Sequence, residues 1–135
     1  MKQYTLLEHT TDIRLKLEAS TLPELFTVAL EGMSALIKKK VSGNALVSEE
    51  IALQATDVTA LLIDFLSEVV TKSHIKKTVY TQVIFSELTE TTLNAIVSGS
   101  VVDFFDEDIK AVTYHEAYVT HNEKGIFEAQ VIFDI

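Results

Sequence analysis

Two aspartates stand near opposite ends of the 135-residue chain, Asp12 in "HTTDI" and Asp134 in "VIFDI". In the last run Phe127, Ala129, Val131, Phe133 and Ile135 would share one face of a strand. Glu128, Gln130 and Asp134 would share the other, because side chains alternate across a strand. Ends of domains usually fray, yet here the apolar face continues to the final residue. The pattern predicts a packed Ile135 side chain, with Asp134 turned outward beside the terminal carboxylate. An ordinary solvated aspartate satisfies that pattern, as most acidic residues are exposed. The chemistry also open to it is to hold a hard cation, since calcium, magnesium and manganese take several oxygen ligands from carboxylates and main chain. Carboxylates gathered without a cation repel one another. A third acid is needed, and the pattern alone does not bring one into place.

Other candidate chemistry is weaker. His9, His74, His115 and His121 invite a zinc reading, but "HEAYVTH" has the wrong spacing for H-E-x-x-H and lies in a strand pattern. With no cysteine in the chain, a structural zinc site, a disulfide and thiolate chemistry all lack ligands or nucleophile. The acidic stretch "DFFDED" lacks the central glycine and terminal glutamate of a calcium-binding loop, and reads as a solvated turn. No glycine-rich phosphate loop and no nucleophile elbow is present.

The elements that must position these residues follow from periodicity. Ile13, Leu15, Leu17 and Ala19 alternate with Arg14, Lys16 and Glu18, a half-buried strand with Asp12 at its entrance on the polar face. "TLPELFTVALEGMSALIKKK" follows as a helix. Thr21 and Glu24 have capping-box spacing, and Pro23 falls in the first turn. Its stripe is Leu22, Leu25, Phe26, Ala29, Met33, Leu36 and Ile37, with Lys38, Lys39 and Lys40 expected to close it as dipole-compensating, solvated charge. Asp57 caps a second helix carrying Val58, Leu61, Leu62, Phe65, Leu66 and Val69, and Ile63 off that stripe suggests cover on more than one side. Strand patterns surround it at Ile51, Leu53 and Ala55, at Val79, Thr81, Val83 and Phe85, and at Leu93, Ala95, Val97 and Val101. "AVTYHEAYVTH", the turn "NEKG" and "IFEAQVIFDI" close the chain as a hairpin with Gly125 at the position needing positive φ. The expected fold is α+β, a mainly antiparallel β-sheet of about seven strands with two main helices in a single domain.

Charge narrows the partners. Eleven basic against twenty acidic residues give a formal net charge of −9, which repels phosphate backbones at long range. Direct nucleic-acid binding is not expected, and an electrostatic partner should present a basic patch. The opening "MKQYTLLEHTTD" lacks the apolar core of a signal peptide and no apolar run approaches a membrane span, so a cytoplasmic protein without membrane contact is expected.

The stretches "LEHTTDI" (7–13), "LLIDFLSEVV" (61–70), "IKAVTYHE" (109–116) and "VIFDI" (131–135) together resemble the archease family, in order and spacing, over essentially the whole chain. The resemblance implies one archease-like domain over residues 1–135. It implies a small acidic protein cofactor of the RtcB-type RNA ligase, which joins ends bearing a 2′,3′-cyclic phosphate or 3′-phosphate to a 5′-hydroxyl in tRNA splicing and RNA repair. Such a cofactor promotes guanylylation of the ligase's active-site histidine and multiple turnover, and is not itself an enzyme. Carried over residue by residue, the metal ligands would be Asp12, Asp134 and the main chain of Ile135. Lys110, before "AVTYH", would join the two aspartates in activating the partner. His9 and His115 lie in the same motifs as candidates for packing or hydrogen bonding around the ligands. The cofactor implied is a divalent cation, calcium, magnesium or manganese. The chain departs from the family pattern at Thr11, where alanine is usual, at Arg14, where a small residue often follows, and in "GSVVDFFDED" before Lys110, which is shorter than typical and lacks the expected proline and histidine. The residues also leave open a small metal-dependent hydrolase using the same acids to activate water, or a binding module with a purely structural metal site.

Overall fold

The computed structural model describes residues 2–8, 11–41 and 46–135. Within them run β1 (Lys2–Glu8), β2 (Asp12–Ala19), α1 (Leu22–Ile37), β3 (Leu46–Gln54), α2 (Val58–Lys76), β4 (Thr78–Leu88), β5 (Thr92–Val101), β6 (Ala111–His121) and β7 (Phe127–Asp134). The expected seven strands and two helices are present, and the strands divide between two antiparallel sheets, β1-β2-β7-β6 and β3-β5-β4. Each helix packs against strands of both sheets, which is why α2 buries Ile63 as well as its main stripe. One core follows, joining Leu15 and Leu17 of β2, the apolar stripes of both helices, Val79, Leu93 and Val97 of the three-stranded sheet, and Val131 and Phe133 of β7. Phe26 and Phe65 meet within it, and the half-buried Phe85 packs on both, with ring centroids 5.8 to 6.2 Å apart. Among the described residues no helix is long and apolar enough to cross a membrane.

Local chemistry sets the helix ends. Thr21 accepts from the Glu24 N–H at 3.3 Å, and Asp57 from the Ala60 N–H at 2.8 Å, so both expected caps form. The far end of α1 differs from expectation. The helix stops at Ile37, so none of the three lysines lies in its last turn. The last carbonyls of a helix need donors, and here the β5–β6 connection supplies them. The Asp106 and Glu107 N–H groups donate to the Ile37 carbonyl at 2.7 and 3.4 Å. The Asp106 carboxylate in turn accepts from the Lys39 N–H at 2.8 Å, the contact that chiefly holds its carboxyl below the usual range. Lys38 pairs with Asp106 at 3.6 Å and lies 3.3 Å from the Phe104 ring centroid. "DFFDED" is therefore not a solvated turn: it closes α1 and, through His74 and Asp108 at 3.1 Å, touches α2. Ile109, 1% exposed, fixes its exit toward β6.

The β6–β7 turn forms as expected. Gly125 has φ +79, and the Asn122 side chain accepts from the N–H groups of Lys124 and Ile126 at 2.9 and 3.0 Å.

Candidate metal centre

The β2–β7 ladder runs without interruption from the pair Ala19 and Phe127 to the pair Asp12 and Asp134. Unbroken antiparallel register keeps residues of one parity on one face. Ile13, Leu15 and Leu17 therefore meet Phe133, Val131 and Ala129 on the core side, and Asp12 faces Asp134 on the outer side. Directly opposed residues have Cβ atoms roughly 4.5–5.5 Å apart, close enough for both carboxylates to share one ion. Asp12 is half-buried, and its Oδ1 is shut away from water without a hydrogen-bond partner among the described residues. An oxygen so placed next to a second carboxylate is unfavourable unless a cation or a donor meets it. That observation fits a divalent cation to this pair.

The next residue closes the end of the ladder. The Ile135 N–H donates to the Thr11 carbonyl at 3.3 Å, keeping its main chain beside Asp12. The expected anchor, a packed Ile135 side chain, is not what holds it. Ile135 is half-buried outside the core cluster, and Phe133 is the last residue of β7 with its side chain in the core. Main-chain pairing does the holding because β2 begins one residue after Thr11. Among the described residues no three His, Cys, Asp or Glu side chains converge on a point, so a cation here would draw its further oxygens from main chain or water.

Lys110 comes to the same place by its backbone: its N–H donates to the Asp134 carbonyl at 2.8 Å, and the residue is exposed. Asp12, Lys110, Asp134 and Ile135 are thus brought together at one end of the four-stranded sheet. His115 stands on β6 with its side chain 81% exposed and its Nε2 3.9 Å from the Glu116 carboxylate. His9 lies outside the described residues.

Periodicity missed the residues that shape the other flank of Asp134. Between Thr113 and Tyr118 β6 advances five residues while β7 advances two, from Ile132 to Gln130. The bulge carries Glu116 at φ 57, in the left-handed region that non-glycine residues seldom adopt. Three side chains pin it. Gln130 donates to the Glu116 carbonyl at 2.9 Å, Arg14 pairs with the Glu116 carboxylate at 2.5 Å, and Tyr114 donates to Asp64 of α2. The last contact, with burial second, raises the Tyr114 phenol above its ordinary pKa. Gln130 and Ile132 are on the outer face yet only 6% and 4% exposed, contrary to a wholly solvated polar side. An apolar Ile132 inside an otherwise polar alternation was the signal for that cover.

Two antiparallel sheets, two helices that each pack against strands of both, and a carboxylate pair at the end of one ladder define a small α+β protein. The Archease protein family (MTH1598/TM1083) matches residues 4–135. A relative from Methanosarcina barkeri, named Protein archease, is 34% identical over 144 residues, covering 99% of this chain and 97% of that protein. The fold is that of the solution structure of Methanobacterium thermoautotrophicum protein 1598, with a TM-score of 0.73, 21% identity, and 98% of each chain covered. It is also that of a Thermotoga maritima protein described as an archease and possible chaperone, with a TM-score of 0.69, 15% identity, and 96% of this chain and 94% of that one covered. The chain belongs to the archease family.

Proposed function

We propose that this protein binds a divalent cation through Asp12, Asp134 and the main chain of Ile135, and serves as a protein cofactor of an RtcB-type RNA ligase in tRNA splicing or RNA repair. The observation that carries the reading is the Asp12 and Asp134 pair, opposed across β2 and β7, with one Asp12 oxygen buried and unpartnered among the described residues. Bound there, a calcium, magnesium or manganese ion would neutralise charge on phosphate oxygens at the ligase's nucleotide site. Asp12 and Asp134 would hold it, and the Ile135 main chain, fixed on Thr11, would complete the end of the site. Lys110, exposed and tied by its backbone to Asp134, would meet a phosphate or an acidic group of the ligase. The net charge of −9 suits docking on a basic, phosphate-binding surface of a protein rather than on RNA. The description of the Thermotoga maritima relative as a possible chaperone is of the same kind, an assisting role beside another protein. The protein itself would join no RNA ends and act in the cytoplasm.

The test is multiple-turnover ligation by an RtcB-type ligase with and without this protein. Stimulation is expected from the native chain and should be lost in Asp12→Ala, Asp134→Ala and Lys110→Ala, while the protein alone ligates nothing. Ligation by the isolated protein, or full stimulation by all three variants, would contradict the cofactor reading. Cation affinity should fall between roughly micromolar and millimolar, the range of sensor and extracellular calcium sites.

A further inference from the structure

The outer face of the β2–β7 ladder carries a fixed positive charge as well as two carboxylates. Arg14 lies two residues from Asp12 on the same side of β2, and its register partner Ile132 lies two residues from Asp134 on the same side of β7. Diagonal neighbours on one face are roughly 7–8 Å apart, within reach of long side chains. Guanidinium and carboxylate make strong, often bidentate pairs, and one Asp12 oxygen has no partner among the described residues. The aspartates are therefore the near acceptors for Arg14, and Arg14 turns from them. Its Nη2 donates to Glu116 Oε2 at 2.5 Å.

Glu116 is available for this only because β6 bulges there. Its backbone holds φ 57, and its carbonyl is fixed by the Gln130 amide at 2.9 Å, a side chain on a residue 6% exposed. The side chains of Arg14 and Glu116 are 31% and 45% exposed, and pairs so exposed add little to stability. What the pair does instead is fix where one positive charge sits. We propose that Glu116 is a positioning residue for the cation site. It sequesters Arg14, which would otherwise occupy Asp12 and Asp134 as an internal competitor of the metal. This rests on the cation reading given above, and it adds a cause for the strained bulge that the reading does not contain. Removing the Glu116 charge frees Arg14 to swing onto the aspartates, and removing Arg14 as well clears them again.

The full chain, titrated with manganese by calorimetry, tests this in three forms: native, Glu116→Gln, and Glu116→Gln combined with Arg14→Gln. A whole charge moved onto a pair about 7 Å away at an effective dielectric near 20 predicts affinity about tenfold weaker or more in Glu116→Gln. The double variant should return to within about twofold of native. A crystal structure of metal-free Glu116→Gln should show the guanidinium on Asp12 or Asp134. Native affinity in Glu116→Gln overturns the proposal, and so does weakening that the double variant leaves unrepaired, since Glu116 would then be a ligand or a support of the fold. If the native chain takes no manganese, the cation reading fails. The metal-free structure still judges the competitor: Arg14 left in solvent overturns it, and Arg14 on the aspartates upholds it.

Discussion

Strand β7 has two neighbours, and they treat it differently. Toward β2 every residue from Phe127 to Asp134 has its partner. Toward β6 the pairing holds at both ends and breaks between Thr113 and Tyr118. The regular side acts as a ruler: register carries the core alternation out to the last pair and sets two carboxylates face to face. The irregular side acts as a mount. It lifts Tyr114, His115 and Glu116 out of the ladder and aims them at α2, at solvent and at Arg14. The cation site proposed above would need both, register to bring its ligands together and the mount to control the charge around them.

The largest effect that separates the two sides is on stability. Leu15 is fully buried on the regular side and fills the space left by Gly32 of α1, where an added Cβ would come within 2.7 Å of it. Leu15→Ala should cost about 3 kcal/mol, read as a lowered midpoint in urea unfolding. Asp12→Ala, three positions away, should change stability by no more than about 0.5 kcal/mol without added metal, and in the stabilising direction, since it removes one of two opposed carboxylates. Equal losses in both variants would mean that the outer face is part of the packing, and the ruler reading would fall.

This contrast also explains what the sequence made legible. Period-two alternation survives wherever pairing is regular, so the strand at 13–19, the last strand, both helix caps and the outward direction of Asp12 and Asp134 could all be read from residue types. The bulge could not. "AVTYHEAYVTH" contains no glycine, proline or asparagine to mark a break, and the contacts that meet the left-handed Glu116, from Gln130 and Arg14, come from other strands. The end of α1 escaped for a similar reason: its carbonyls are met by N–H groups sixty-nine and seventy positions later, at Asp106 and Glu107, and local pattern carries no information about so distant a donor. What brought Lys110 to Asp134 was likewise the main chain, not a side-chain pattern.

A smaller effect probes how the mount is fastened. Tyr114 is 60% exposed, so solvent screening should hold its bond to Asp64 to about 0.5–1 kcal/mol, below the usual range for a hydrogen bond to a charged group. Tyr114→Phe should lose that amount at neutral pH. The sign of the pH dependence follows from the raised phenol. The contribution is present below the unfolded tyrosine value, about 10, and disappears as pH rises through the higher folded value. Native protein and Tyr114→Phe should therefore differ in stability at pH 7 and converge at strongly alkaline pH. A difference that persists there would assign the loss to packing of the ring.

The smallest effect tests whether the bulge is strained at all, and it does so by reversing a familiar order. In a strand, glycine is ordinarily worse than alanine by about 0.5–1 kcal/mol because it has more freedom to lose. At φ 57 the balance shifts, since an L side chain there crowds the following carbonyl at roughly 1–2 kcal/mol. Glu116→Ala and Glu116→Gly both remove the pair with Arg14, so that loss cancels when the two are compared. Glu116→Gly should then be the more stable by up to about 1 kcal/mol, seen as the higher melting midpoint of the two. Alanine equal to or better than glycine would show that the β6 backbone relaxes out of the left-handed region once the side chain is cut. The bulge would then be held by Glu116 itself, and the mount would be a consequence of the Arg14 pair instead of its support.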